Sequence, residues 1–178
     1  MADEFGRTTW DNFNMAIAML VTSRSIDPRT KHGCYIIDKN NKPLSFGYNG
    51  PLRGSDDEKV SLQPPDKYFE MEHSERNAIF NYNGSLEGAT AYITGFPCSD
   101  CFRALVQSGI KKIVYGPITS NMLETEEGRK ELAAIQRMVD YCKGVELIEF
   151  QGDFWESFEI MKQYLTTKGI KQSKESYE

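Results

Sequence analysis

Hydrophobic residues recur at helical spacing in the first clearly patterned part of the chain. The stripe consists of Trp10, Phe13, Ile17, Leu20 and Val21. Intervals of three and four residues predict an amphipathic helix, and a stripe of this kind is expected to face the protein core. Thr8 or Thr9 is suitably placed to cap the N-terminus of the helix.

Short apolar runs further along the chain predict β-strands. Residues 32–38 and 43–48 flank a polar, Asn-containing turn and are expected to pair as an antiparallel hairpin. Residues 89–94 and 112–115 enclose a helical segment at residues 98–108. A strand, a helix and a strand in close succession predict a parallel pair joined by a right-handed crossover.

The remaining apolar spacing predicts three further helices and a fifth strand. The helices cover residues 74–82, 132–142 and 154–165, and the strand covers residues 145–150. The polar residues 166–178 are expected to fray. Because the chain has no internal repeat, residues 1–165 are interpreted as a single domain.

Two polar segments lack any regular period. Residues 52–71 form a long connection, which is typical of a functional or partly mobile segment. Residues 116–123 are a loop that is suitably placed to act as a lid.

The composition is that of an ordinary globular protein, with 39% hydrophobic and 26% charged residues in a chain of 178. No apolar run has the length of a membrane span, and Met1-Ala2-Asp3-Glu4 lacks the features of a signal peptide. Four cysteines suit a reducing compartment. These features predict a cytoplasmic protein, or one in the host cytoplasm if its origin is viral, with no membrane partner.

The net charge of −5 restricts the possible partners. Proteins that bind nucleic acids usually carry a basic surface, which this composition does not favour. We therefore expect no nucleic-acid partner. A small anionic substrate is easier to accommodate, because a few local cations can hold one phosphate.

One constellation carries recognisable chemistry: His73 and Glu75, followed by Cys98 and Cys101 directly after Pro97. An imidazole and two thiolates are three good ligands for Zn²⁺ and leave the fourth position open for water. Glu75 is then placed to transfer protons without being a ligand. The two cysteines are three residues apart, so they share one face if they open a helix.

Other interpretations of the cysteines exist. A Cys-x-x-Cys pair also fits a redox centre, or half of a structural zinc site that Cys34 or Cys142 would complete. The joint order and spacing of the histidine, the glutamate, the proline and both cysteines favours a catalytic zinc site. His32 is interpreted as structural and Cys34 as a small core residue.

Two further segments contain candidate ligand-binding residues. Residues 24–31 include Arg24, Ser25 and Arg29, and this run fits either a phosphate-binding loop or a solvated turn. Asn49 lies in a Gly-Tyr-Asn-Gly turn, where its amide can face a ligand, although Asn-Gly is also ordinary turn chemistry.

The motifs together resemble the cytidine-deaminase-like superfamily, whose signature is His-x-Glu followed by Pro-Cys-x-x-Cys. The turn at residues 47–50, the Ser25-x-Asp27-Pro28 sequence and residues 109–115 narrow the resemblance to its deoxycytidylate (dCMP) deaminase branch. The resemblance covers residues 10–150. It implies a three-layer αβα fold with a mixed five-stranded sheet.

The resemblance also implies a function. His73, Cys98 and Cys101 would hold catalytic zinc, and Glu75 would transfer protons during deamination of dCMP to dUMP and ammonia, a step that feeds dTMP synthesis. Substrate binding would involve a larger set of residues. These are Asn49 at the deoxyribose, Arg24, Ser25 and Arg29 at the phosphate, and Ser74 and Tyr115. Ser74 stands where the family usually has alanine.

Similar enzymes are often hexamers that dCTP with Mg²⁺ activates and dTTP inhibits, so the resemblance implies a homo-oligomer with a nucleotide effector. Two alternatives stay open at this point. The first is a deaminase acting on cytidine, guanine or tRNA adenosine. The second is a non-catalytic, zinc-stabilised nucleotide-binding protein. An intact Glu75 argues against the second alternative, because a sensor does not need a proton-transfer group.

Overall fold

The computed structural model describes residues 3–168, so most of the predicted polar tail lies outside the described residues. The helices are α1 (Trp10–Val21), α2 (Lys67–Glu70), α3 (Ser74–Phe80), α4 (Ser99–Gln107), α5 (Ser120–Glu124), α6 (Glu126–Tyr141) and α7 (Glu156–Thr167). Within the described part of the chain, none of the helices is long and apolar enough to cross a membrane.

The main sheet has five strands in the order β2-β1-β5-β6-β7. These strands are β1 (Gly33–Ile37), β2 (Pro43–Tyr48), β5 (Thr90–Ile93), β6 (Lys112–Tyr115) and β7 (Glu146–Glu149), and a small second sheet pairs β3 (Gly50–Pro51) with β4 (Met71–Glu72). β1 is antiparallel to both β2 and β5, whereas β5, β6 and β7 are parallel. The predicted hairpin and the predicted parallel pair are therefore both confirmed.

Helices cover both faces of this mixed sheet. The alternation of β1 shows the division, because Cys34 and Ile36 belong to one buried cluster while Tyr35 and Ile37 belong to the other. The first cluster is covered by α3, α4 and α6, and the second by α1 and by Phe154, which precedes α7. The three-layer α/β fold that the resemblance implied is confirmed.

The predicted buried face of α1 is wrong. Trp10, Phe13 and Leu20 are 60%, 41% and 61% exposed, whereas Met15 and Ala18 are fully buried. Small side chains let the helix lie directly on the sheet. A Cβ atom at Gly33 of β1 would stand 2.1 Å from the Ala18 carbonyl oxygen. Close backbone approach thus overrides the stripe of large residues.

The segments without a period contain more structure than the sequence predicted. Residues 52–71 include a short 3₁₀ helix at Asp57–Lys59 and then α2 and the start of β4. The predicted lid at residues 116–123 overlaps α5. The last helix continues to Thr167, two residues beyond the predicted end of the domain at residue 165.

Strand β2 holds α3 in place through backbone contact and two side-chain hydrogen bonds. Ser45 Oγ donates to the Ala78 carbonyl oxygen at 2.7 Å, and Asn77 Nδ2 donates to the Tyr48 carbonyl oxygen at 2.8 Å. Gly47 makes this approach possible, because a Cβ atom there would lie 2.3 Å from both the Ala78 nitrogen and the Ser74 oxygen.

Gly47→Ala is therefore expected to lower the free energy of unfolding by about 1–3 kcal/mol, since backbone atoms must separate to admit the methyl group. Urea denaturation would measure this change. Gly50→Ala is the matched control, because its Cβ would meet only the Tyr48 ring, at 3.4 Å. An equal loss in both variants would contradict the close-approach explanation.

Candidate active site

The candidate catalytic residues meet at a cavity of about 380 Å³ beside the carboxyl end of β5. Its lining includes His73, Glu75 and Cys98 from the sequence motifs. This position follows from the parallel arrangement of β5 and β6, because ligands in α/β folds bind where such strands end.

Three potential metal ligands converge at the inner end of the cavity. His73 Nδ1 lies 3.5 Å from Cys98 Sγ and 3.4 Å from Cys101 Sγ, and all three atoms lie within 4.8 Å of one another. A tetrahedral zinc ion bound by one nitrogen and two sulfurs separates nitrogen from sulfur by about 3.6 Å. The three side chains therefore fit zinc without rearrangement.

Two helix N-termini bring these ligands together. His73 is the N-cap of α3, and Cys98 is the N-cap of α4, with the Cys101 backbone N–H donating to Cys98 Sγ at 3.5 Å. The positive ends of both helices point at the ligands, which favours thiolates over thiols. The predicted positions of both motifs at helix starts are confirmed.

The two thiols interact strongly with each other. A hydrogen bond from Cys101, together with one from His73, lowers the pKa of Cys98 to about 4. The contact with Cys98 and burial raise the pKa of Cys101, and the hydrogen bond with Cys98 raises the pKa of His73. A cation bound between these groups would favour the thiolate form of both cysteines.

The structure does not support the alternative of a structural site closed by another cysteine. Among the described residues, the group able to hold a metal consists of His73, Cys98 and Cys101. Cys34 is buried in β1, where burial raises its thiol pKa, and Cys142 lies at the end of α6.

Glu75 is 7% exposed and borders the cavity beside the metal ligands. Ser74 Oγ donates a hydrogen bond to Glu75 Oε2 at 2.9 Å. Ser74 is buried at the cavity wall, so the serine that replaces the usual alanine of the resemblance fixes one oxygen of the carboxylate. The other oxygen stays available for proton transfer.

Glu131 of α6 is a site residue that the sequence did not reveal. Its carboxylate accepts from the Ser99 backbone N–H at 2.9 Å and from Ser99 Oγ at 3.3 Å, and it lines the cavity. Ser99 directly follows Cys98, so Glu131 ties α6 to the start of the helix that carries both thiolates. No motif marks a contact between residues so far apart in the chain.

The predicted amide of Asn49 lies in the cavity wall and organises the backbone beside it. Its Oδ1 accepts from the His32 backbone N–H at 2.7 Å, and its Nδ2 donates to the Thr30 carbonyl oxygen at 2.8 Å. The His32 ring also borders the cavity, and burial lowers its pKa.

The structure does not bring the cations of the predicted basic loop into the cavity, although Asp27 and Thr30 of that loop line it. Arg24 lines a separate cavity, Arg29 is exposed, and the Lys31 ammonium donates to the Ser25 carbonyl oxygen. Ser25 itself is buried and accepts from the Asp27 backbone N–H at 3.3 Å.

The hydrogen bonds of the Asp27 carboxylate organise this loop, with no phosphate needed. Its Oδ1 accepts from the backbone N–H groups of Arg29 at 2.9 Å and Thr30 at 3.0 Å, and Lys67 Nζ donates to Oδ2 at 2.8 Å. Burial opposes ionisation of Asp27, but these hydrogen bonds outweigh it and lower the pKa of the carboxyl. Asp27 and Lys67 both line the main cavity.

Tyr115 lies behind the site. Its ring packs edge-on against Phe96 with the centroids 4.9 Å apart, and Phe96 borders the main cavity. Tyr115 itself lines a different cavity under α6. Among the described residues that line the main cavity, Tyr115 is absent, so the structure places it in contact with Phe96 and one layer away from the predicted substrate.

A three-layer α/β fold with a His/Cys/Cys group and an adjacent buried carboxylate defines a class of protein, the zinc-binding deaminase fold. Residues 8–117 match the family described as the cytidine and deoxycytidylate deaminase zinc-binding region. The chain therefore belongs to this family, and the match supports zinc as the metal of the His/Cys/Cys group.

Curated relatives share the deaminase name. The chain is 40% identical over 118 residues to a probable deoxycytidylate deaminase of Drosophila melanogaster, covering 60% of this chain and 58% of that protein. It is 37% identical over 136 residues to a probable deoxycytidylate deaminase of Caenorhabditis elegans, covering 72% and 64%. The match thus spans about three fifths of the length of these relatives.

Solved structures show the same fold. The dCMP deaminase of cyanophage S-TIM5 in its apo form is 26% identical, with a TM-score of 0.59 over 79% of this chain and 96% of that chain. The same phage enzyme in complex with dCMP and dUMP matches with a TM-score of 0.55 over 76% and 93%.

Proposed function

We propose that this protein catalyses the hydrolytic deamination of dCMP to dUMP and ammonia. The observation that carries the proposal is the buried Glu75 carboxylate beside three converging metal ligands in one cavity. The names of the relatives and the nucleotides bound to the phage enzyme support dCMP as the substrate. A non-catalytic protein would not need this carboxylate.

His73, Cys98 and Cys101 would hold the zinc ion. When bound, zinc supplies the Lewis acidity that lets water act as a nucleophile near neutral pH. Glu75 takes a proton from the attacking water and delivers it to N3. It then takes the proton of the hydroxyl group formed on C4 and delivers it to the amino group, which leaves C4 as ammonia. Ser74 orients Glu75 by its hydrogen bond to Oε2.

Asn49 is proposed to contact the deoxyribose from the cavity wall. Both of its amide atoms already bond to the backbone of residues 30–32, and this keeps the amide rigid. The amide oxygen has a second lone pair, which can accept a hydrogen bond from a sugar hydroxyl.

A nucleotide effector and a homo-oligomer are further parts of the proposal. Arg24 and Arg53 line a second cavity of about 300 Å³, which suits the phosphates of dCTP with Mg²⁺.

The exposed Trp10, Phe13 and Leu20 of α1 provide an apolar surface for self-association, with a hexamer in the cytoplasm as the expected form. Light scattering with and without dCTP would measure the assembly.

Ammonia release from dCMP by the zinc-loaded protein tests the main proposal. We expect turnover on dCMP to exceed turnover on cytidine, dCTP and an adenosine-containing RNA hairpin. Stimulation by dCTP with Mg²⁺ would support the effector. Absence of turnover on dCMP, with zinc confirmed by elemental analysis and both effector conditions tried, would refute the proposed activity.

A further inference from the structure

Lys67 is a buried cation in the wall of the active-site cavity. It belongs to α2, in the segment that has no sequence period, and its side chain is 8% exposed. Among the described residues that line the cavity, it is the one lysine or arginine. Lysine is rarely buried to this degree without a structural or functional reason.

The hydrogen bonds of Lys67 leave donors available. A lysine ammonium has three N–H donors. Within residues 3–168, its one hydrogen-bond acceptor is Asp27 Oδ2, at 2.8 Å. The Tyr68 ring, with its centroid 5.7 Å from Nζ, lies at the outer limit of a cation–π contact. Two donors of a buried, charged group therefore remain for a ligand in the cavity.

Asp27 orients the ammonium and is itself satisfied by other groups. Its Oδ1 accepts two backbone N–H groups, so the carboxylate would keep its position without the lysine. The two partners of the ion pair therefore differ in how many other groups hold them. Asp27 is held by the loop through Oδ1, and its Oδ2 orients Lys67.

Several carboxylates line the cavity, which leaves Lys67 as the one lysine or arginine among the described lining residues that can attract an anion. Glu75 lies at the inner end, and Glu127 and Glu131 line the cavity from α6. These carboxylates repel a phosphate from their own side of the cavity. The cations of residues 24–31 do not line the cavity. Among the described lining residues, Lys67 is therefore the one ammonium or guanidinium group that can donate to an anion, although it also pairs with Asp27.

We propose that Lys67, oriented by Asp27, binds the 5′-phosphate of the nucleotide and makes the site prefer a nucleoside monophosphate over the free nucleoside. This inference rests on the proposed deaminase function and deepens it. It replaces the predicted phosphate ligands Arg24, Ser25 and Arg29 by a residue of α2, about 40 positions further along the chain.

The test compares two variants that break the same ion pair. Lys67→Met removes the ammonium, whereas Asp27→Asn removes its partner charge and keeps both the ammonium and an oxygen for the loop N–H groups. The measured quantity is the ratio of kcat/KM for dCMP to that for deoxycytidine. Lys59→Met is the surface control, because Lys59 pairs only with Asp56 and is exposed.

Lys67→Met is expected to lower the ratio of kcat/KM for dCMP to that for deoxycytidine by about 10- to 100-fold, which is the effect of losing a charge-assisted hydrogen bond. Most of the loss should come from a higher KM for dCMP. Asp27→Asn keeps the ammonium but removes the carboxylate oxygen that orients it, so it is expected to lower the ratio less than Lys67→Met does. Lys59→Met is expected to leave the ratio unchanged. A purely structural ion pair predicts that the Lys67 and Asp27 variants lose activity on both substrates alike. That result would overturn the proposal.

Two additions keep the test decisive. If Lys67→Met does not fold, the double variant Asp27→Asn/Lys67→Met removes both buried charges together, and loss of the dCMP preference is expected there too.

If the wild-type protein deaminates neither compound, the proposed function fails. Calorimetry with dUMP, deoxyuridine and inorganic phosphate then tests Lys67 separately. Wild-type protein that binds dUMP no tighter than deoxyuridine would refute the inference by itself.

Discussion

Glu75→Gln is expected to reduce kcat on dCMP by more than the 10²–10⁴-fold that one proton-transfer group typically contributes. The carboxylate is used more than once in each turnover, and glutamine can neither take nor return a proton. Its amide oxygen can still accept the hydrogen bond from Ser74, which reaches Oε2 at 2.9 Å in the wild type. The side chain should therefore keep its place.

Zinc content and the thermal unfolding midpoint of Glu75→Gln should match those of the wild type, because the residue does not belong to the metal-binding group. Both quantities must be measured beside the ammonia assay. Near-wild-type turnover in this variant would show that another group transfers the protons and would refute the mechanism.

Cys101→Ser is expected to abolish stoichiometric zinc binding and with it all turnover. Cys101 Sγ lies 3.4 Å from His73 Nδ1 and is 1% exposed, so a serine there would present a poor, buried ligand. Loss of one of three protein ligands leaves two, too few for a stable site. Because metal binding contributes to the stability of the native state, the unfolding midpoint should also fall.

Cys142→Ser is the matched control for this change. Cys142 is a partly buried thiol at the end of α6 and lies outside the metal-binding group. Elemental analysis should find one zinc per chain in this control and far less in Cys101→Ser. Full zinc occupancy in Cys101→Ser would mean that other ligands hold the metal.

Local sequence was enough to predict the residues of the proposed catalytic site. The three-residue spacing of Cys98 and Cys101 places both at the start of one helix, and His73 similarly begins another. The strands were readable for the same reason, since short apolar runs with turn residues between them have few alternatives. A strand, helix and strand in sequence also define the parallel edge where the site forms.

Contacts between segments that are far apart in the chain could not be predicted from the sequence. The face of α1 depends on Gly33, which lets Ala18 approach the sheet and leaves Trp10 exposed. Hydrophobicity predicted the opposite, because periodicity reports that a helix has an apolar side and not how close a sheet can come.

The same limit applies to the polar residues around the cavity. The sequence placed the phosphate at Arg24 and Arg29 because cations cluster there, yet only tertiary structure shows that neither lines the cavity. It also shows that Lys67 and Glu131 enter the cavity from segments without a motif. Sequence was enough to predict the candidate metal ligands and the proposed acid–base residue, because their chemistry requires fixed local spacing. Tertiary structure decided which charges surround them, because a buried charge is set by partners far away in the chain.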